Sequence, residues 1–338
     1  MKRNLFKIIF LFFIALLFIL IAIKVEIKSL KETILNFKWY YFIYFTLLYI
    51  LTYILYSQKI VYLFTNIIKL KFYDIYNLIF SGSYINFIFP GIGEIFKVIY
   101  LKQKYELSII KSTIVLLFER IFTFMTLPVI VIIVAVLTGF KIQDTLSQYK
   151  IYVIFFLLTL IVSFAAIYLL SIKRDYFIPL IYMLTQRIPL LRVDMNKIED
   201  VFSTSDIIFK PLFLFVLSII IFLQLFFDGL RHYTLFMALD YNISFLICIA
   251  AYICVALITN IPGIPAKIGT FEAVYLSIFH FILNVPIDTC IVIIACDRVF
   301  SMINLFIFGL ISFNYLNINW NEIRILKKKV DNGVITQV

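Results

Sequence analysis

The sequence carries little charge. Asp, Glu, Lys and Arg together make up 14% of its 338 residues, against 64% hydrophobic and 18% aromatic, whereas about a quarter of a soluble domain is charged. A water-soluble fold is excluded, and a mean hydropathy of +1.06 assigns the chain to a bilayer. Short segments of alternating polarity are missing as well, which excludes a membrane barrel. Apolar runs of about twenty residues recur instead, the mark of an all-α polytopic membrane protein. The four cysteines, Cys248, Cys254, Cys290 and Cys296, all lie inside apolar runs. With no Cys-x-x-Cys and no histidine at ligand spacing, they read as buried thiols and not as a metal site. No Ser-His-Asp or Cys-His set and no nucleotide motif occurs, so no self-contained catalytic chemistry and no cofactor is expected.

What charge there is leans one way. The net charge of +11 sits in short clusters beside apolar runs, a pattern that orients a membrane protein and does not indicate nucleic acid. The start, MKRNLFKIIF, has the basic head of a signal peptide, but its apolar run continues to Ile23 without a small-residue cleavage site. A retained first helix is expected. Six spans follow from hydropathy, over about 8–23, 39–56, 109–137, 151–172, 212–235 and 289–316. Two further apolar segments, 75–89 and 243–261, each run into a Pro-Gly break.

Charge decides how those two segments lie. If both crossed, with the N-terminus cytoplasmic, 12 Lys and Arg would lie inside and 15 outside, against the positive-inside rule. If each dips in and returns, the partition becomes 20 inside and 7 outside, with Arg120, Arg231 and Arg298 at membrane depth. Two re-entrant hairpins are therefore expected, with both termini cytoplasmic in a multi-pass cell-membrane protein. Broken backbone in a membrane must be buried by protein or line a watery cavity. The connection 173–210 is the long polar one, and contains a candidate amphipathic surface helix with Met195, Ile198, Val201, Phe202 and Ile208 near one face. Residues 57–72, with Lys59, Asn66, Lys69 and Lys71 opposite aliphatic positions, read as a similar interfacial helix.

The two breaks resemble each other. The first is FPGIGEIF, residues 89–96, with Pro90, Gly91 and Gly93; the second is IPGIPAKIGTFEA, residues 261–273, with Pro262, Gly263 and Gly269. A shift of 178 residues superposes Gly91 on Gly269, Glu94 on Glu272, Glu119 on Asp297 and Arg120 on Arg298. In the hairpin topology the halves, about 74–139 and 243–316, enter from opposite sides and form an inverted repeat. Such repeats with broken helices are a transporter architecture, in which half-helix N-termini offer free N–H groups to anions.

Ionised side chains at depth need partners. Adjacent Glu119 and Arg120 diverge by about 100° on a helix, so the natural pairs are Glu94 with Arg120 and Glu272 with Arg298. Two roles fit these pairs: pinning each hairpin to the following span, or sharing an Arg with an anionic substrate. Asp228, Arg231 and His232 lie on one face of another span as a third candidate cluster. His232 reads as a structural histidine before a titrating one, and His280 as structural.

The stretches NFIFPGIGEIFKVIYL, LFERIF, NIPGIPAKIGTFEA and ACDRVF resemble the lysylphosphatidylglycerol synthase membrane region, also called the flippase-like family. The resemblance spans most of the chain and implies a single flippase-like transmembrane domain over 1–338. It also implies action on an anionic phospholipid or a polyprenyl-phosphate-linked sugar, by translocation. The candidate binding residues are Glu94, Lys97, Arg120, Lys267, Glu272 and Arg298 from these stretches, with Arg231 from the third cluster. Lys97 stands where the family often has Arg, keeping the charge without the bidentate fork; Pro265 and Lys267 interrupt a second motif that is usually richer in glycine. Some relatives carry a cytosolic aminoacyl transferase domain, and the chain has no room for one, so lysyl transfer is not expected. Two alternatives are a membrane-embedded transferase, with Glu94 and Glu272 as acid-base residues, and a noncatalytic subunit supporting a glycosyltransferase partner through the long connection.

The charge partition makes the topology testable. Single cysteines from Gln103→Cys and Gln186→Cys, in a background without native cysteines, are expected to react only with reagent on the cytoplasmic side. Labelling of position 103 from outside would rule out the first re-entrant hairpin.

Overall fold

The computed structural model describes residues 32–89, 91–137, 210–259, 269–321 and 323–325. The expected spans at 8–23 and 151–172, the connection 173–210, and Pro90, Pro262, Gly263 and Lys267 lie outside the described residues. Among the described residues there is no strand. Eight α-helices are assigned in them: α1 Tyr41–Phe64, α2 Phe72–Ile88, α3 Ile92–Tyr105, α4 Ile109–Leu137, α5 Pro211–Ala238, α6 Phe245–Thr259, α7 Thr270–Tyr275 and α8 Ile287–Tyr315. After α7 the chain widens to π-helical pitch over Leu276–Ile282.

Three of these helices are long and apolar enough to cross a membrane: Tyr41–Phe64, Leu212–Ala238 and Ile287–Tyr315. α4 matches its expected span with 29 residues. The helices of the first break are shorter, 17 residues in α2 and 14 in α3, and α6 has 15 described residues. At about 1.5 Å per residue, neither α2 nor α3 reaches the roughly 30 Å of a hydrocarbon core. Apolar side chains such as Ile43, Leu47, Phe215, Ile307 and Ile311 stay exposed on the long helices. Such surface is stable where lipid covers it. Trp39, Tyr40 and Tyr44, exposed at the start of α1, suit an interfacial aromatic belt.

α1 departs from the expectation drawn for 57–72. The helix does not stop near Tyr56 and restart at the interface; it continues to Phe64. The polar residues that suggested an interfacial face are satisfied internally. Ser57 Oγ donates to the Tyr53 carbonyl at 2.7 Å, and Lys59 is 1% exposed because a carboxylate on α4 receives it.

Two compact units divide the described residues, with α1, α5 and α8 each supplying residues to both. In the unit formed by 52–224 and 307–338, α2 and α3 make an antiparallel hairpin. Asp74 accepts hydrogen bonds from the Tyr105 hydroxyl at 2.7 Å and pairs with Lys104 at 2.9 Å at its open end. At its closed end, the chain turns through Gly91 at φ 86°, a left-handed conformation that costs other residues about 1–2 kcal/mol. Between the ends the backbones touch: a Cβ on Gly93 would lie 2.0 Å from the Gly82 carbonyl oxygen. Small residues that admit such approach hold helices together where lipid removes any hydrophobic drive.

In the other unit, formed by 1–51 and 225–306, α6 packs on α7 and on the π-helical turn. Phe300 is ringed edge-on by Phe37, Trp39, Phe42 and Phe45 at 4.7–6.1 Å. The Lys38 amide donates to the Ala238 carbonyl at 2.9 Å, and its ammonium meets Asp240 at 2.6 Å. The start of α1 is thus tied to the end of α5. α5 stops where Asp240 turns left-handed at φ 51°, a conformation that Asp and Asn tolerate better than most residues.

The close approach at the first hairpin predicts an order of severity. Gly93→Ala is expected to destabilise the protein by about 3 kcal/mol or more, at or beyond the upper end for overpacking, because the obstacle is backbone. Gly91→Ala, which meets open space, pays only the φ cost of about 1–2 kcal/mol. Thermal unfolding in detergent, followed by size-exclusion recovery, checks the order; equal losses would refute the backbone contact.

Candidate functional site

Each unit holds one glycine break, one hairpin glutamate and one acid-Arg doublet, and the local geometry of the two agrees. Gly269 turns at φ 82°, close to the 86° of Gly91. Arg120 Nη2 reaches Glu94 Oε1 at 2.7 Å, and Arg298 meets Glu272 Oε1 through Nη2 at 3.0 Å and Nε at 3.1 Å. Both pairs read from the 26-residue spacing therefore form. The acid before each Arg turns the other way, as helix geometry requires. Glu119 is buried against Lys59 of α1, and Asp297 is buried near Arg231 of α5 at 3.8 Å.

In the first unit the charges crowd around Glu94. Its Oε1 also receives Lys97 Nζ at 3.0 Å and lies 3.4 Å from Asn86 Nδ2. Lys97 is buried, its ammonium 5.7 Å from the Tyr56 ring centroid, and Lys59 approaches the same ring at 4.6 Å. Thr123 accepts a long hydrogen bond from Lys59 and donates to Glu119 at 3.2 Å. Among the described residues, three cations, Lys59, Lys97 and Arg120, thus face two carboxylates, Glu94 and Glu119, leaving one positive charge over. The side chain of Arg120 is 51% exposed and that of Glu94 is 30%. The surplus sits where a ligand can reach it.

The half-helix starts do not offer free N–H groups at Gly91, Gly93 and Gly269, contrary to the sequence expectation. Asn86 Oδ1 accepts from the amides of Gly91 at 2.8 Å and Gly93 at 3.2 Å, and Glu272 Oε2 accepts from Gly269 at 2.7 Å. A helix start away from water needs such acceptors, and the nearest polar side chains supply them.

In the second unit Arg231 is buried and engaged through both of its terminal nitrogens. It pairs with Asp228 at 3.0 Å and donates to Ser301 Oγ and Tyr252 Oη, each at 3.1 Å, with the Phe45 and Tyr49 rings beside it. The expected one-face cluster of Asp228, Arg231 and His232 is therefore split: the first two pair, and His232, wholly buried, bonds to Tyr275 Oη at 2.9 Å. Arg298 lies over the Phe271 ring at 4.7 Å with 33% of its side chain exposed. His280 has a structural partner, the Val285 carbonyl at 2.8 Å. Cys248, Cys290 and Cys296 are buried free thiols, and Cys254 is partly exposed.

Sequence reasoning missed Lys59, Tyr56, Asn86, Tyr252 and Tyr275. Lys59 had a signal, a lone cation in the apolar run YSQKIVYLF that lets the span continue to Phe64. Asn86 lies within the first motif, five residues before the glycine whose amide it accepts. The tyrosines had none, because 22 occur in the chain.

A family model described as the lysylphosphatidylglycerol synthase TM region matches residues 5–309. No curated protein and no solved structure matches the chain significantly.

The buried pair and the exposed pair make opposite predictions. Lys59→Met should cost about 3–5 kcal/mol by leaving Glu119 buried and unpaired, and adding Glu119→Gln should recover most of it. Arg120→Ala should cost about 1 kcal/mol, since Glu94 keeps Lys97 and some solvent. Thermal stability of the three variants against the unmodified protein tests this; no recovery in the double variant would refute the Lys59–Glu119 coupling.

Proposed function

The chain belongs to the lysylphosphatidylglycerol synthase transmembrane-region family, and we propose that this membrane protein binds an anionic phospholipid or polyprenyl-phosphate-linked sugar and translocates it. One observation carries the reading: the excess positive charge around Glu94, with Arg120 half-exposed. A phosphate arriving at Arg120 finds a planar fork able to grip two oxygens. Lys97 supplies a second cation, and Glu94 holds both while the site is empty. The ligand exchanges with Glu94 for the guanidinium, which lowers the cost of taking a phosphate out of water.

Arg298 and Glu272 repeat this arrangement with one cation fewer, and Lys267 from the second break is the natural supplement. Arg231, enclosed by its own partners, supports the scaffold in this reading and does not touch the headgroup. The inverted relation of the halves and the cytoplasmic placement of both termini belong to the same proposal. Alternating access would expose one hairpin and then the other.

The test is dithionite quenching of fluorescent lipids in proteoliposomes, with folding checked by size-exclusion profile. Arg120→Lys is expected to slow movement of an anionic lipid roughly tenfold, the loss of one charge-assisted hydrogen bond of about 1.5 kcal/mol, and Arg120→Gln to slow it further. A neutral-headgroup lipid should move poorly in every variant. If both variants fold and move anionic lipid at the unmodified rate, the headgroup does not bind at Arg120. Covalent change of the lipid by the purified protein would favour a transferase instead.

A further inference from the structure

Among the described residues, the second unit contains a buried charge imbalance of the opposite sign. Asp228 and Asp297 face a single guanidinium, that of Arg231, while Arg298 is matched by Glu272. With His232 neutral, these five groups sum to one negative charge. Burial makes that costly: the side chains of Arg231, Asp297 and His232 are 8%, 9% and 0% exposed. An uncompensated charge in such surroundings is relieved by binding a proton or a cation.

The geometry identifies where. His232 Nδ1 and Asp297 Oδ1 face each other at 3.9 Å, and neither atom has a hydrogen-bond partner. The other ring nitrogen is already held by Tyr275 at 2.9 Å. A shift of about 1 Å would close an N–H···O bond, giving a chain from Tyr275 through His232 to Asp297. Among the described residues, the other carboxylates nearby are already paired, Asp228 with Arg231 and Glu272 with Arg298. Around His232 stand the rings of Tyr252, Tyr275, Phe236 and Phe279, and Asp228 and Arg231 share its helix. Cys248 of α6 and Cys290 of α8 are buried free thiols beside Tyr275, Arg298 adjoins Asp297 with Glu272 across from it, and Tyr49 of α1 flanks Arg231.

We propose that the His232–Asp297 pair is a proton-binding site, and that its proton drives the lipid movement inferred above. The proton comes from water on one side of the membrane, is shared between Nδ1 and the carboxylate, brings the cluster to zero net charge, and leaves to water on the other side. A nitrogen donor and four surrounding aromatic rings disfavour a hard cation such as Na⁺, which takes oxygen ligands. Proton binding follows from this unit alone; only the coupling rests on the translocation reading.

The chain has two histidines, which makes the site directly observable. Selective ¹⁵N-histidine labelling gives two ring systems, and His280→Gln assigns them. The His232 ring is expected to titrate between about pH 5 and 9 and to move by at least about one pH unit, tenfold in proton affinity, in Asp297→Asn. A His232 ring that does not change over that range, or titrates identically in Asp297→Asn, overturns the site. A titration shifted by Na⁺ at fixed pH also overturns it, in favour of a cation.

Coupling is read in proteoliposomes carrying a pH gradient. The lipid distribution should shift by up to about tenfold per pH unit, the limit for one proton per lipid, and His232→Gln should abolish the shift. Asp297→Asn serves if His232→Gln does not fold. Lipid that moves with no response to the gradient refutes coupling and leaves translocation standing. A His232 that titrates with Asp297 while no lipid moves refutes translocation and leaves the proton site standing.

Discussion

An ionised group at membrane depth is tolerated only beside an opposite charge or water, and that constraint organises both halves of this protein. Each following helix carries an acid and an arginine in succession, Glu119-Arg120 and Asp297-Arg298, which a helix must point in different directions. The acid is met by a cation from a preceding long helix, Lys59 or Arg231, and the arginine by the hairpin glutamate. One doublet therefore fastens two elements. In lipid, where apolar faces gain little by meeting each other, such pairs and the Gly82–Gly93 backbone approach fix helix positions that hydrophobicity leaves undetermined.

The features legible in the sequence were those that recur with fixed spacing or a strong compositional cost. Apolar runs gave α4 to its end residues, and α5 and α8 to within a few. The 178-residue shift gave both glycine breaks and both Glu–Arg pairs. What escaped depended on partners distant in sequence. Lys59 looks like an interfacial lysine until Glu119, sixty residues on, is seen to neutralise it. Nothing local reveals that Asn86 caps the next helix, or that Tyr275 rather than Asp228 is the hydrogen-bonding partner of His232. Propensity and hydropathy describe a residue's own segment, whereas burial of charge is settled by the segment opposite.

Two exchanges between the halves, with Asp228 as an additional carboxylate in the second, account for their different electrostatics. Where the first has Asn86, the second, 178 residues on, has Ile264; where the first has Lys97, the second has Tyr275. Because Asn86 caps its helix, Glu94 is free to bridge Lys97 and Arg120; lacking that amide, Glu272 both caps Gly269 and holds Arg298. Because Lys97 is replaced, the second cluster loses a cation and gains a hydroxyl, which His232 takes up. The motifs that match thus give each half the same glycine turn and Glu–Arg pair, and the residues that differ give the two clusters opposite excess charge.

Opposite excess charge has a use in a membrane held at a potential. Moving one elementary charge across costs or releases about 2.3 kcal/mol per 100 mV, so an anionic lipid carried alone would be driven in one direction or stalled in the other. In the proposed mechanism, a positive cluster that takes the phosphate and a negative cluster that takes a proton would let one unit of each charge cross together. The loaded protein would then carry no extra charge, and the direction of movement would be set by the lipid and proton gradients without the potential. With Lys97 in both halves the second cluster would be neutral, and with Tyr275 in both the first would be, so either symmetric arrangement would lose the pairing of opposite charges. The departures from symmetry are in this view as functional as the repeat itself.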